Sequence, residues 1–215
     1  MKHSLVLFYA CISLLLLFHS SLSCQLIHQT CKRIADNDPN VSYNLCVMSL
    51  ESNPMSASAS LEELGVIAVE LALSNATYIN WYISNKLLQE KGFDPYAEAC
   101  LKDCHELYSD AIPELKDVLD DFKDKDYYKA NIELSAAMEA STTCEDGYKE
   151  RKGEASPLAK EDNIFFQLCA IALAFTNIID LILLLTSASS LESSQLKEGA
   201  YAANQIVRLL HLWLV

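Results

Sequence analysis

Apolar positions recur through most of this chain at helical spacing, and strand-like alternation is nearly absent. Leu64, Ile67, Leu71, Tyr78 and Tyr82 fall near one helical stripe, which Leu87 and Leu88 extend. Ser58 or Ser60 can cap this helix, with Glu62 and Glu63 in its first turn, and Gly92 stands where a helix would stop. After Asp94-Pro95, a second broad face runs from Cys100, Leu101 and Cys104 through Leu107, Tyr108, Ala111 and Leu115 to Leu119 and Phe122. Pro113 lies inside it and predicts a kink, or a break near Ile112. A third helix opens at Tyr127-Tyr128. Ile132, Ser135, Met138 and Thr142 mark one edge, and Ala136, Ala137, Ala140 and Cys144 fill its face. A fourth runs from about Lys160 to Leu185, with Phe165, Leu168, Ala172, Phe175, Ile179 and Ile182 in register.

Only five glycines and five prolines interrupt the chain. Four long helices with short connections predict an all-α protein, an up-down-up-down four-helix bundle. Residues 24–55 precede the bundle and predict two short helices joined by a turn at residues 36–40.

The two ends differ from the middle. Lys2 and His3 are followed by an uncharged apolar run over residues 5–18, then by Ser21 and Ser23 before Cys24. That order predicts a secretory signal over residues 1–23, in a run too short to span a bilayer comfortably. The expected divisions are therefore the signal, a domain over residues 24–185 and a C-terminal tail over residues 186–215. The tail ends in Ile206, Val207, Leu209, Leu210, Leu212, Trp213 and Leu214, interrupted by Arg208 and His211. It reads as a loosely attached amphipathic segment, with a lipid-anchor signal as the alternative. No firm membrane association is expected, and the oligomeric state is open.

Charge narrows the function. Residues 24–215 carry 15 basic and 29 acidic side chains. Nucleic acid is excluded as a partner, because phosphate binding needs a basic patch. A protein partner fits better. Catalysis is not expected: His28, His105 and His211 stand in no nucleophile or metal-ligand motif, and no cofactor motif is present. The run Cys100-x-x-x-Cys104-His105 could suggest zinc, but cysteines of an exported chain serve disulfides more often. Asp120-Asp121 reads as a solvated acidic helix end within the charge-rich residues 117–126. Two glycosylation sequons occur, at Asn40 in a predicted turn and at Asn75 within a predicted helix. Tyr127, Tyr128 and Lys129 fall at a bundle tip. Their composition suits a partner contact, the alternative being that one tyrosine packs back on its own helix start.

Seven cysteines follow the signal: Cys24, Cys31, Cys46, Cys100, Cys104, Cys144 and Cys169. Seven is odd, and spacing alone does not fix the pairing. Four stretches, taken with it, carry a resemblance. They are Thr30-Cys31-Lys32, residues 101–112 from Leu101-Lys102-Asp103-Cys104 onward, residues 142–150 around Cys144-Glu145-Asp146-Gly147, and residues 166–173 around Cys169. Together they resemble the plant invertase and pectin methylesterase inhibitor family over about residues 24–182. Ala130-Asn131-Ile132-Glu133 and Ser156-Pro157-Leu158 are similar to its invertase-inhibitor branch of the plane-tree pollen allergen type.

The resemblance implies a four-helix bundle preceded by a disulfide-stapled helical hairpin. It implies the bridges Cys31–Cys46 and Cys104–Cys144, although Cys100, one turn before Cys104, is a rival for Cys144 on geometry alone. It implies an extracellular inhibitor in the apoplast or cell wall, with the vacuole as another address. The target would be an invertase or, on the same scaffold, a pectin methylesterase. A secreted structural protein without a target is the reading from another class, and a lipid carrier a further one. The Pro-Lys-Phe element that some invertase inhibitors carry before the third bundle helix is replaced here by Asp126-Tyr127-Tyr128-Lys129. Its role is not carried over.

Overall fold

A computed structural model describes residues 25–153 and 155–213, with side-chain exposure described as far as residue 187. The expected signal over residues 1–23 and Cys24 lie outside the described residues, as do the tail side chains beyond residue 187. Chain contacts divide the protein into a unit ending at Asn177 and one beginning at Ile178.

The described residues form helices and no strand. Helix α1 covers residues 25–37, and α2 is Tyr43–Glu51. Then come α3, Leu61–Asn85, α4, Pro95–Asp124, α5, Tyr127–Lys149, and α6, Ala159–Trp213. Short 3-10 turns occupy Pro54–Ser58 and Leu87–Gln89.

Local chemistry sets most helix starts. The Ser60 side chain accepts from Glu63 N while the Glu63 carboxylate accepts from Ser60 N, a reciprocal capping box. The Asp94 carboxylate accepts from Tyr96 N and Ala97 N, and Pro95 follows where a missing N–H costs nothing. The Arg151 guanidinium bonds that carboxylate and holds it well down, to about 2. Asp126 caps α5 through Lys129 N at 3.0 Å. The link from α4 to α5 is two residues long. Lys125 takes a left-handed φ of 59°, and Asp126 N reaches back to Asp121 O at 2.9 Å.

Within the first unit, pairs of contacts give the helix directions. Asn80 Nδ2 of α3 donates to His105 O and Ser109 Oγ of α4, while Gly65 lies against Phe122. Phe122 meets Tyr127, Cys104 is bonded to Cys144, and Tyr148 OH donates to Ala97 O, so α5 runs antiparallel to α4. Asn131 Nδ2 of α5 donates to Thr176 Oγ1 at 2.8 Å, close to the end of this unit. Tyr108 meets Phe165 early in α6, and Gly65 meets Phe175 ten residues later. These pairings describe an up-down-up-down bundle of α3 to α6. Its core includes Leu64, Ile79, Ile83, Leu101, Tyr108, Leu115, Leu134, Phe165 and Phe175, all fully buried.

The hairpin α1–α2 is stapled by Cys31–Cys46, with S–S 2.01 Å and Cα–Cα 5.7 Å. It docks on the bundle through Ser42 N, which donates to Gln167 Oε1 at 2.8 Å. Closing a loop of this size stabilises by about 3 kcal/mol in the chain-entropy account.

Several helix limits and faces differ from expectation. Helix α3 ends at Asn85, not at Gly92, because Asn85 and Gln89 side-chain amides satisfy the carbonyls of Trp81 and Ser84. Helix α4 runs unbroken through Pro113, which is exposed, so water can serve the carbonyl that loses its partner. Tyr78 is 49 % exposed, and the buried stripe passes through Ala72, Ala76 and Ile79 instead. On α5 the inner face is Tyr127, Ala130, Leu134, Ala137 and Cys144, while Ile132 and Ala136 point outward. The last helix continues past Leu185 to Trp213.

The second unit begins inside this helix. Leu181 to Leu185 are exposed, Ile182 among them, against its expected place in the buried stripe. The stretch Ala159–Ser187 is long and apolar enough to cross a membrane, its most apolar window having a mean hydropathy of 2.4, yet 44 % of that window is buried inside the protein.

Candidate docking surface

The start of α5 carries the trio singled out from the sequence, and the structure separates its members. Tyr127 is 3 % exposed and packs edge-on against Phe122, with ring centroids 5.4 Å apart. It is the tyrosine that packs back, so it is not available to a partner. Burial, then the neighbouring Glu62, raises its hydroxyl above the usual tyrosine range. Tyr128 points the other way and is 76 % exposed.

Lys129 is half-exposed, but its charge is already engaged. Its Nζ reaches Asp121 Oδ1 at 2.7 Å and Glu133 Oε1 at 3.1 Å. The hydrogen bonds to Asp121 and then Glu133 raise it above the ordinary lysine range. Asp121 is thus a buried, paired carboxylate, not the solvated acid expected of residues 117–126.

Ile132, expected along one edge of this helix, joins Tyr128 on its exposed face. Ile132 lies one turn after Tyr128 on the same helix face and is 52 % exposed. Its outward position follows from the phase set by Ala130, Leu134 and Ala137, whose burial leaves 128 and 132 outside. Asn131 anchors this turn to α6 through Thr176 and Asn177, which fixes the helix presenting Tyr128 and Ile132. An aromatic and a branched aliphatic side chain on a rigid, covalently tied bundle can bury area in another protein's cleft with little backbone ordering cost.

A second exposed patch sits on α3. Tyr78 and Tyr82 stack with centroids 5.9 Å apart, Trp81 is 47 % exposed, and Lys86 Nζ lies 5.8 Å from the Trp81 ring.

The remaining chemical candidates are placed as follows. Cys104 and Cys144 are bonded at 2.05 Å with Cα–Cα 4.9 Å, which leaves Cys100 a buried free thiol. Cys169 is also free and buried, and burial raises its thiol. Asn40 is exposed in the α1–α2 turn, its Nδ2 donating to Asp38 Oδ1. Asn75 is half-buried in mid α3, and its Oδ1 is buried without a partner. Asp120 pairs with Lys123 and Asp121 with Lys129, so these carboxylates do not form a catalytic pair. Among the described residues no three His, Cys, Asp or Glu side chains come together to hold a metal ion.

Similarity to known proteins gives this surface its setting. The sequence profile of the family described as "Plant invertase/pectin methylesterase inhibitor" matches residues 25–175. A Platanus acerifolia protein named "Putative invertase inhibitor" is 42 % identical over 83 % of this chain and 98 % of its own length. Its namesake from Platanus orientalis is 44 % identical over 74 % of this chain and 92 % of its own. Pectinesterase inhibitor 12 of Arabidopsis thaliana is 37 % identical over 72 % of this chain and 87 % of its own. The crystal structure of a mutant form of a pectin methylesterase inhibitor from Arabidopsis superposes with a TM-score of 0.55 at 24 % identity, covering 63 % of this chain and 88 % of that one, and supports the fold. This chain belongs to the plant invertase/pectin methylesterase inhibitor family, whose members are inhibitors rather than enzymes.

Proposed function

We propose that this protein inhibits an invertase by docking on its active-site cleft, with Tyr128 and Ile132 of α5 among the contacting side chains and Lys129 at the margin. The observation that carries the choice of target is the likeness, at 42 % and 44 % identity over nearly their whole lengths, to two proteins named for invertase. The physical support is the rigidity of the scaffold. Cys104–Cys144 ties α4 to α5, the helix that bears the patch, for about 4 kcal/mol in the chain-entropy account. The inhibitor contributes shape and desolvation, and no chemistry of its own.

Pectin methylesterase is the second reading, favoured by the 37 % identity to a pectinesterase inhibitor. The apolar N-terminal run is compatible with a signal peptide. Export to the apoplast or cell wall, with a glycan at Asn40 and a less accessible one at Asn75, completes the proposal. Purified protein assayed against both enzymes at mildly acidic pH tests it. Inhibition of invertase alone supports the first reading, inhibition of the esterase alone the second. Inhibition of neither at micromolar concentration leaves a structural role.

A further inference from the structure

Where α4, α5 and α6 meet in the first unit, three oxygen-bearing side chains converge at the edge of the core, with Glu145 half-buried. Asp162, in the first turn of α6, is 2 % exposed. Tyr108 of α4 is fully buried, and its hydroxyl donates to Asp162 Oδ1 at 2.6 Å. Asp162 Oδ2 and Glu145 Oε1 of α5 are both buried with no donor to serve them. The two carboxyl groups line one cleft, where Glu145 acts on Asp162 as the neighbouring carboxyl. Two carboxylates cannot bond without a proton between them, and Tyr108 has already committed its only one.

The ion pairs of the described residues include neither Asp162 nor Glu145. The titratable groups facing Asp162 are Tyr108 on α4, Glu145 on α5, and Glu161 on α6 itself, with Cys169 beyond Tyr108. Asp146 and Lys149 line the adjoining cleft of about 300 Å³, where they pair with each other at 3.0 Å. That cleft, also lined by Ser141, Thr142 and Asn163, gives the pair a path to water.

We propose that Asp162 and Glu145 share one proton, and that this proton closes a pH-sensitive clasp joining α4, α5 and α6. Its loss to water leaves two like charges at the edge of the core and loosens the start of α6. The proposal goes beyond the inhibitory reading, since it concerns the bundle whichever enzyme is bound. The direction of titration agrees. Burial first, against the Tyr108 hydrogen bond and with Glu145, pushes Asp162 up to about 8. A carboxyl raised on folding stabilises fully below the ordinary carboxyl range. That stability declines as pH rises and is gone once pH has passed about 8.

The test is urea unfolding of the full chain from about pH 5 to about pH 9, with infrared spectra of the folded protein near neutrality. The expected result for wild type is a folding constant that falls by up to about tenfold per pH unit across part of that range. A protonated-carboxyl infrared band should persist near neutrality. Asp162→Asn and Glu145→Gln should each flatten the decline and remove the band, because an amide supplies the missing donor. The surface control Asp120→Asn should keep both. A wild-type spectrum without that band near neutrality overturns the proposal, and so does Asp162→Asn with the control's slope. If the amide variants fail to fold, the wild-type spectrum alone decides.

Discussion

Gly65 of α3 and Phe122 of α4 touch so closely that the glycine has no room for a side chain. A Cβ at residue 65 would sit 2.7 Å from Phe122 Cε1 and 3.3 Å from Phe175 Cβ. Glycine inside a helix costs about 1 kcal/mol relative to alanine, so its presence here reflects packing rather than helix preference. Gly65→Ala should therefore destabilise despite the gain in propensity, since overpacking costs about 1–3 kcal/mol. A lower urea midpoint with an unchanged slope is the expected reading.

Tyr127 and Tyr128 are neighbours in sequence with opposite tasks. Tyr127→Ala empties the space against Phe122 and should cost about 3 kcal/mol in unfolding experiments. Tyr128→Ala should leave thermal stability unchanged and weaken inhibition. The two variants assayed side by side separate scaffold from contact.

Lys129 has a structural role that its surface position hides. Lys129→Met removes the cation from buried Asp121 and should lower the thermal midpoint modestly, the lysine itself being half-exposed to water. Asp121→Asn in the same chain should recover most of that loss, as a thermal denaturation series would reveal.

The hairpin depends on its bridge more than on its core. Replacing Cys31 and Cys46 together by alanine should cost about 3 kcal/mol. Hydrogen exchange should then quicken first in residues 25–51, before the bundle opens.

Much of this architecture can be read from local chemistry. Ser60 with Glu63, and Asp94 with Pro95, announce the starts of α3 and α4 in the sequence and cap them in the structure. Side-chain facing was harder. Tyr78 and Ile132 are apolar enough to suggest burial, but the helices approach along Ala72, Ala76, Ala130 and Ala137, and that close approach sets the phase. Large side chains beside such a seam are turned outward, which hid Ile132 from a reading based on hydrophobicity alone. Asp162 was hidden for another reason. An acid in the first turn of a helix ordinarily serves the helix dipole at the surface, and only the tertiary meeting with Tyr108 and Glu145 buries it.

The most direct test of the account is a titration of invertase activity with the full chain beside its Tyr128→Asp variant, both shown to be folded. The account predicts stoichiometric loss of activity with the native chain, and at least about a tenfold weaker effect when a charge replaces the exposed ring. Equal inhibition by both proteins, or none by either, would contradict docking through this face of α5.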